Sequence, residues 1–280
     1  MSKSEKAVAV VTETPAYLRE LEKQGPVDSH DNFDQSDITI PRVKLLQALS
    51  KEMETFDAAK NGHFWHTGMD VDLGVEFQFI PVSRRKKYLL VAPIEDGQGI
   101  LARAEDFVHW QPPSGEFQVK LKGRKEAVTW KLAPTVAESG LAEWGTMNPD
   151  DPSSPPAATL FYEYLILLPD NLGFGPVVLS LTRSQIKKTR KGLNDKIKLH
   201  ESAGRPMQSP VFVAKAVKDQ SAAGDYQNFQ FNSSGFASEE VYKQALELKD
   251  VLSTYKVQDE EAAAQTDETE AKPAEEAKDF

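Results

Sequence analysis

The sequence predicts an α+β fold of mainly antiparallel strands, arranged as a sheet or barrel with an inserted basic helix and a closing C-terminal helix. Short segments in which apolar and polar residues alternate recur along the chain, and this period of two is typical of half-buried strands. Two segments, 182–200 and 238–255, instead show the three-to-four-residue apolar spacing of amphipathic helices. The chain contains no cysteine, which excludes disulfides and thiolate metal sites.

Charge divides the chain into three parts. Residues 258–280 carry nine carboxylates and two lysines, with no apolar residue larger than alanine before Phe280, so we expect a disordered acidic tail. Residues 1–37 carry eight acidic and four basic residues and are expected to form a flexible arm with a short helix after Pro15. The remaining residues, 38–257, are nearly neutral and long enough for one folded domain.

The first half of the domain is expected to be rich in strands. Its entry segment, 38–53, is extended at first and continues as a strand or a short helix, between which the apolar pattern does not decide. Segments 75–79 and 88–94 predict an antiparallel pair joined by a basic turn at 83–87. A hairpin is predicted at 117–132, where the alternation of Phe117, Val119 and Leu121 precedes a turn at Gly123.

The second half begins with a proline-rich surface loop at 145–157. Two apolar runs, 157–169 and 175–181, are typical of central strands. Thr182 can cap the basic helix, and a further strand pair, 211–217 and 226–231, has its turn near Gly224.

Basic residues interleaved with aromatic ones are the main functional signal. Single-stranded nucleic acid is bound by cations that follow its phosphates and by rings on which its bases stack. The predicted phosphate ligands are Arg84, Arg85, Lys86, Lys87, Lys120, Lys122, Arg124 and Lys125. The predicted stacking residues are Phe77, Tyr88, Trp110 and Trp130. The alternative is that the rings belong to the core and the lysines to a solvated surface.

The basic helix strengthens this signal. Residues 183–198 hold seven basic residues and one acidic residue, which is too uneven for an ordinary solvated helix. This segment is expected to contact either phosphates or the acidic tail.

Signals of catalysis are weak. His63, His66, Asp70 and Asp72 could ligate zinc or manganese, but their spacing matches no standard metal motif. The common phosphate-binding, dinucleotide-binding and nucleophile motifs are absent. We therefore expect a protein that is not an enzyme and needs no cofactor, with a metal-dependent nuclease as a minor alternative.

The strand-rich body, the basic and aromatic segments and the acidic tail ending in Asp279 and Phe280 resemble a bacteriophage single-stranded DNA-binding protein of the OB-fold type. The resemblance implies that 38–257 form an OB-like domain that coats and protects single-stranded DNA in phage DNA replication, recombination and repair. It also implies that Asp279 and Phe280 bind replication or recombination proteins such as a polymerase, helicase, primase or nuclease, and that the tail competes with DNA.

Three further expectations complete the sequence-based interpretation. The protein is expected in the host cytoplasm, without a membrane partner, because no segment approaches the roughly 20 apolar residues of a membrane helix. A homodimer is compatible with the sequence. The alternative function is an accessory factor for transcription or recombination that acts through the acidic tail.

Overall fold

The computed structural model describes residues 39–93, 96–221, 224–251 and 256–257, which all belong to one unit of the chain, Gln35–Phe280. The strands are β1 (Thr39–Ile40), β2 (Arg42–Leu45), β3 (Phe64–His66), β4 (Val71–Gly74), β5 (Glu76–Val91), β6 (Ile100–Ala104), β7 (Gly115–Val119), β8 (Val128–Leu132), β9 (Ala158–Leu167), β10 (Val177–Thr182), β11 (Pro210–Ser221), β12 (Gly224–Phe236) and β13 (Lys256–Val257). The α-helices are α1 (Glu52–Thr55), α2 (Val136–Ser139), α3 (Ser184–Thr189), α4 (Asp195–Ser202) and α5 (Glu239–Glu247), with a 3₁₀ segment at Pro169–Phe174 and a π-helical segment at Arg190–Asn194.

Most strands belong to one sheet of nine, which curls into a half-barrel. Its order is β12, β11, β5, β9, β10, β2, β3 and β4, and β6 also pairs with β5. Its pairs are antiparallel except for β2 with β10. Strands β7 and β8 form a separate hairpin, and β1 pairs with β13 in parallel. The predicted mixed, strand-dominated fold is therefore confirmed.

Strand β5 corrects the sequence-based interpretation of the basic segment 83–87. The predicted turn between two strands was wrong, because Glu76–Val91 is one continuous strand. Residues 80–90 pair with β9, with a register shift between Pro81 and Ser83. The charged residues are tolerated in this central strand because Arg84 and Lys86 are exposed on one face, whereas Arg85 and Lys87 pair with Glu163 on the other.

The other strand predictions agree with the structure. The hairpin at 117–132 is β7 and β8, and the two apolar runs between 157 and 181 are the adjacent strands β9 and β10. The pair near Gly224 is β11 and β12, both longer than predicted. The entry segment, for which strand and helix were both open, forms β1, β2 and α1.

The helices differ from the prediction in detail. The basic helix is divided into α3, the π-helical segment and α4. Helix α5 begins after Ser238, whose hydroxyl accepts a hydrogen bond from the Val241 amide, and ends at Glu247. It is shorter than the predicted helix 238–255, of which 252–255 lie outside the described residues. The described helices include none that is long and apolar enough to cross a membrane.

The two faces of the half-barrel are named here after neighbouring residues of β9. The Tyr162 face packs its apolar side chains against Ile186, Leu193 and Ile197 of the basic helix. The Glu163 face packs in part against Ala245 of α5. A second core, centred on Trp110 and Trp130, lies beneath the β7–β8 hairpin.

Candidate nucleic-acid interface

The basic run of β5 contributes to both faces of the half-barrel. Arg84 and Lys86 lie opposite Tyr164 and Tyr162, so they belong to the Tyr162 face. Arg85 lies opposite Glu163, and Lys87, two residues further, shares that face. The four cations that the sequence presents as one cluster are therefore two pairs on opposite sides of a sheet.

Arg85 and Lys87 take part in a buried ionic cluster around Glu163. The Lys87 ammonium lies 3.0 Å from one carboxylate oxygen, and Arg85 Nε donates to the other at 2.8 Å. Arg42 lies 3.8 Å away, and the Ser180 hydroxyl donates at 3.2 Å. The side chains of Lys87 and Glu163 are fully buried, so Lys87 cannot contact a phosphate in this fold.

Burial alone would raise the pKa of Glu163. The positive charges of Lys87, Arg42 and Arg85 and the hydrogen bond from Lys87 outweigh that effect, and together they hold the pKa at about 2. Glu163 is therefore ionised at neutral pH, and the cluster is part of the folded core rather than a surface for ligands.

The other face presents a cationic and aromatic surface. The rings of Tyr88 and Phe107 stack with centroids 5.1 Å apart and planes 18° from parallel. The Lys86 ammonium lies 5.2 Å from the Phe107 centroid and 5.3 Å from that of Tyr162. Burial, and then the neighbouring Tyr162, raise the pKa of Tyr88, so its ring stays neutral.

Phe107 is held in an unusual backbone conformation. Its φ is +69°, in the left-handed region that non-glycine residues rarely adopt. The preceding Asp106 carboxylate accepts hydrogen bonds from the amides of His109 at 2.7 Å and Val108 at 2.8 Å. These contacts lower the pKa of Asp106 to about 2. The hydrogen bond from the His109 amide contributes most, followed by the His109 side chain and the Val108 amide. The turn thus presents Phe107 at the surface with 37% of the residue exposed, in a backbone conformation that is strained for a side chain of this size.

The surface continues onto the basic helix. Arg190 Nε donates to the Tyr162 hydroxyl at 3.2 Å, which connects the helix to β9. Lys187 precedes Arg190 by three residues, a spacing that places both on one side of a helix, and both are exposed. We call the set Phe107, Tyr88, Lys86, Tyr162 and Arg190 the aromatic strip. Tyr162 is 5% exposed, so it supports Lys86 and Arg190 and offers no free ring to a base.

One family model matches residues 3–258 of the chain, that of the Pam3 phage gp34-like proteins. The chain belongs to this family. The match covers nearly all of the sequence and ends where the acidic segment begins. No curated protein and no solved structure is significantly similar to the chain. The expected phage origin is therefore confirmed, whereas the family description names no activity.

The sequence predicted four residues of this chain to stack bases, and three of them are buried in its hydrophobic cores. Phe77 is 8% exposed, and Trp110 and Trp130 are each 1% exposed. Trp110 also donates its indole N–H to the Ser139 hydroxyl at 3.1 Å. A base has no access to these rings, so we exclude them from the interface and keep Tyr88.

The remaining predicted cations are dispersed. The connection between β7 and β8, outside the large sheet, holds four of them: Lys120, Lys122, Arg124 and Lys125. Arg124 pairs with Asp150 at 2.6 Å. Arg84 shares the Tyr162 face with Lys86, but it pairs with Glu201 at 3.3 Å. The predicted residues therefore do not form one cluster, and Lys86 and Tyr88 belong to the aromatic strip.

Three of the four candidate metal ligands, His63, His66 and Asp72, are engaged in other contacts. His63 Nδ1 pairs with Asp72 at 2.8 Å. His66 is buried and accepts a hydrogen bond from the Met69 amide at 3.1 Å, and burial lowers its pKa. Within the described ranges no three His, Cys, Asp or Glu side chains come together as a metal site would require. Asp279 and Phe280 lie outside those ranges.

Sequence reasoning did not select Phe107, Tyr162 or Arg190. Phe107 opens the basic and aromatic segment 107–131, but it was not among the predicted stacking residues; the Asp that precedes it can form a side-chain-supported turn. Tyr162 lies in an apolar run that is typical of a buried strand. Arg190 belongs to the basic segment 183–198, but the sequence alone does not show which of its cations faces the sheet.

Proposed function

We propose that this phage protein binds and coats single-stranded DNA through the aromatic strip, without catalysing a reaction. The observation that carries the proposal is Phe107, which is 37% exposed, stacks on Tyr88 and has the Lys86 ammonium 5.2 Å from its ring centroid. A flat ring beside a cation is what a nucleotide requires, since the base stacks while the phosphate is neutralised. The curled, strand-rich sheet supports the further proposal that the domain is OB-like.

The strip suggests a path for the strand. One base stacks on the exposed part of Phe107, and the adjoining phosphate contacts Lys86. The following phosphates run toward Arg190 and Lys187, both exposed on the basic helix. Each stacked base contributes about 1–3 kcal/mol, and each neutralised phosphate makes binding more dependent on salt.

The acidic segment 258–280 gives the proposal a regulatory part. Its nine carboxylates outnumber its two lysines, so its net charge is opposite in sign to the cations of the strip. We propose that it competes with DNA and presents Asp279 and Phe280 to replication or recombination proteins. If the body binds no DNA, the alternative of an accessory factor acting through this segment becomes the better interpretation.

The test is fluorescence anisotropy with a labelled oligo(dT), for the wild-type chain and for Phe107→Ala and Lys86→Ala. We expect Phe107→Ala to weaken binding about tenfold or more. Lys86→Ala should weaken binding and reduce the slope of log affinity against log salt by about 0.7, as expected for one lost phosphate contact on a single strand.

Two matched controls lie outside the strip. Phe236 is 60% exposed and also has an arginine, Arg205, over its ring at 5.6 Å. Lys243 is exposed on α5, the helix that packs on the Glu163 face. Phe236→Ala and Lys243→Ala should retain wild-type affinity. Equal losses in the controls and in the strip variants would contradict the assigned interface, and absence of binding by the wild type would reject the function.

The regulatory part needs its own comparison. A chain ending at Val257 should bind oligo(dT) more tightly than the full chain at low salt, and the difference should shrink as salt screens the charges. Unchanged affinity would remove the proposed competition while leaving the DNA interface intact.

A further inference from the structure

A cleft of about 400 Å³ opens beside the aromatic strip. Tyr88 and Phe107 line it together with apolar residues of α2 and the following turn, among them Val136, Ala137 and Ala142. Glu143 is the acidic residue among those that line the cleft, and it is exposed to solvent. The cleft thus combines two stacked rings, apolar surfaces and one anionic acceptor.

Local hydrogen bonds form the cleft in advance of any ligand. The Val136 amide donates to the Val108 carbonyl at 2.9 Å, which attaches α2 to the turn that carries Phe107. Thr135 and Glu138 form a reciprocal cap at the start of α2. Gly140 ends that helix with a φ of +67°, a conformation that suits glycine. A ligand therefore meets a cleft whose lining is already ordered, which lowers the entropic cost of binding.

We infer that this cleft receives one base of the bound strand and selects a base that carries an exocyclic amino group. The inference rests on the proposed function. The volume lies in the range of small-ligand pockets, and the apolar lining suits the faces of a heterocycle. The Lys86 ammonium at the Phe107 ring places a positive charge where the phosphate of the inserted nucleotide remains outside.

Glu143 provides the selectivity. A carboxylate accepts a hydrogen bond from the N4 amino group of cytosine, whereas thymine presents a carbonyl oxygen at the same ring position and is repelled. Cytosine and thymine have the same ring size, so stacking and shape differ little between them. Thymine also differs from cytosine in its C5 methyl group and its N3–H donor, so the effect of the carboxylate is isolated by comparing the ratio of the two affinities between wild type and Glu143→Ala.

The experiment compares labelled oligo(dC) and oligo(dT) of equal length, at pH 8 and one salt concentration, with the full chain. Wild type should bind oligo(dC) about tenfold more tightly, the ratio expected for one hydrogen bond to a charged group. Glu143→Ala should abolish this ratio by weakening oligo(dC) binding and strengthening oligo(dT) binding. Glu247→Ala, which removes an exposed carboxylate from α5, should leave the ratio unchanged.

A second variant tests the cleft itself. Ala137 is exposed and lines the cleft, so Ala137→Leu fills space there without disturbing a core. It should reduce the preference for oligo(dC) while oligo(dT) still binds through the aromatic strip. Unfolding curves that match wild type verify that the Glu143→Ala and Ala137→Leu chains are folded.

Failure of the inference is distinguishable from failure of the proposed function. Equal affinity of wild type for both oligonucleotides, or a preference that survives Glu143→Ala or Ala137→Leu, overturns the base-selecting cleft and leaves DNA binding in place. No binding to either oligonucleotide overturns the proposed function and the inference with it.

Discussion

The Glu163 carboxylate should contribute about 3 kcal/mol to the free energy of unfolding at neutral pH. Its pKa falls from 4.5 to about 2 because the neighbouring cations outweigh the cost of burial. A pKa that is lower by about 2.5, at about 1.4 kcal/mol for each pKa unit, gives that magnitude. The side chain is fully buried, so solvent does not screen this interaction as it does at the surface.

The substitution Glu163→Gln keeps the shape of the side chain and removes its charge. The buried Lys87 ammonium then loses the carboxylate that lies 3.0 Å away and keeps that of Glu105 at 3.9 Å. Breaking a buried ion pair from one side costs about 3–5 kcal/mol, so we expect a loss of that size in urea unfolding at pH 7. Circular dichroism and tryptophan fluorescence should report the same transition in both proteins.

The pH dependence gives a sharper test of the same reasoning. The folded pKa is lower than the unfolded one, so the contribution is complete above about pH 5 and is lost as the pH falls toward 2. The stability difference between wild type and Glu163→Gln should therefore narrow over that interval. A difference that stays constant between pH 7 and pH 3 would refute the assigned cause.

An exposed ion pair provides the control. Glu116 lies 2.9 Å from Lys131 on the β7–β8 hairpin, and both side chains are more than half exposed. Glu116→Gln should have little measurable effect, because surface pairs contribute little. If Glu163→Gln unfolds at the same urea concentration as Glu116→Gln, the reasoning about the buried cluster fails.

Two further predictions concern backbone geometry. Phe107→Gly should be more stable than Phe107→Ala by about 1 kcal/mol, because glycine adopts a positive φ without strain. Both variants should lose the same oligo(dT) affinity, as measured by anisotropy. Equal stabilities in thermal unfolding would contradict the strain at φ +69°. Gln208→Leu should lower the free energy of unfolding by about 1–3 kcal/mol, because the buried carbonyl of Val82 loses the hydrogen bond that it accepts at 2.7 Å. A loss below about 0.5 kcal/mol in urea unfolding would contradict this prediction.

The sequence correctly predicted those strands in which apolar and polar residues alternate and a turn-forming residue follows. The β7–β8 hairpin is an example, because Phe117 and Val119 alternate with polar residues before a glycine turn. Strand β5 could not be predicted in the same way. Between Arg84 and Lys87 both faces of the strand carry cations, so the alternation leaves no hydrophobic signal, and a run of charges is typical of a turn.

For the site, the sequence identified the kinds of residue but not the direction of each side chain. Tyr88 and Lys86 were selected and lie in the strip, whereas Trp110 and Trp130, the larger rings, fill a core. Phe107 reaches Tyr88 from a turn 19 residues further along the chain. That contact depends on the pairing of β5 with β6, which no local pattern specifies.

The ionic cluster and the aromatic strip depend on the same register of β5. The register shift at Val82 sets which of the following residues face Glu163, and the hydrogen bond from Gln208 supports the backbone there. A slip of one residue against β9 would turn Lys86 toward the Glu163 face and Lys87 toward the Tyr162 face. Arg84 and Lys86 would then face Glu163 in place of Arg85 and Lys87, so the cations alone do not select a register. The fully buried apolar residues on either side of the basic run, Val82 and Leu89, select it, and the selected register presents Lys86 beside Phe107.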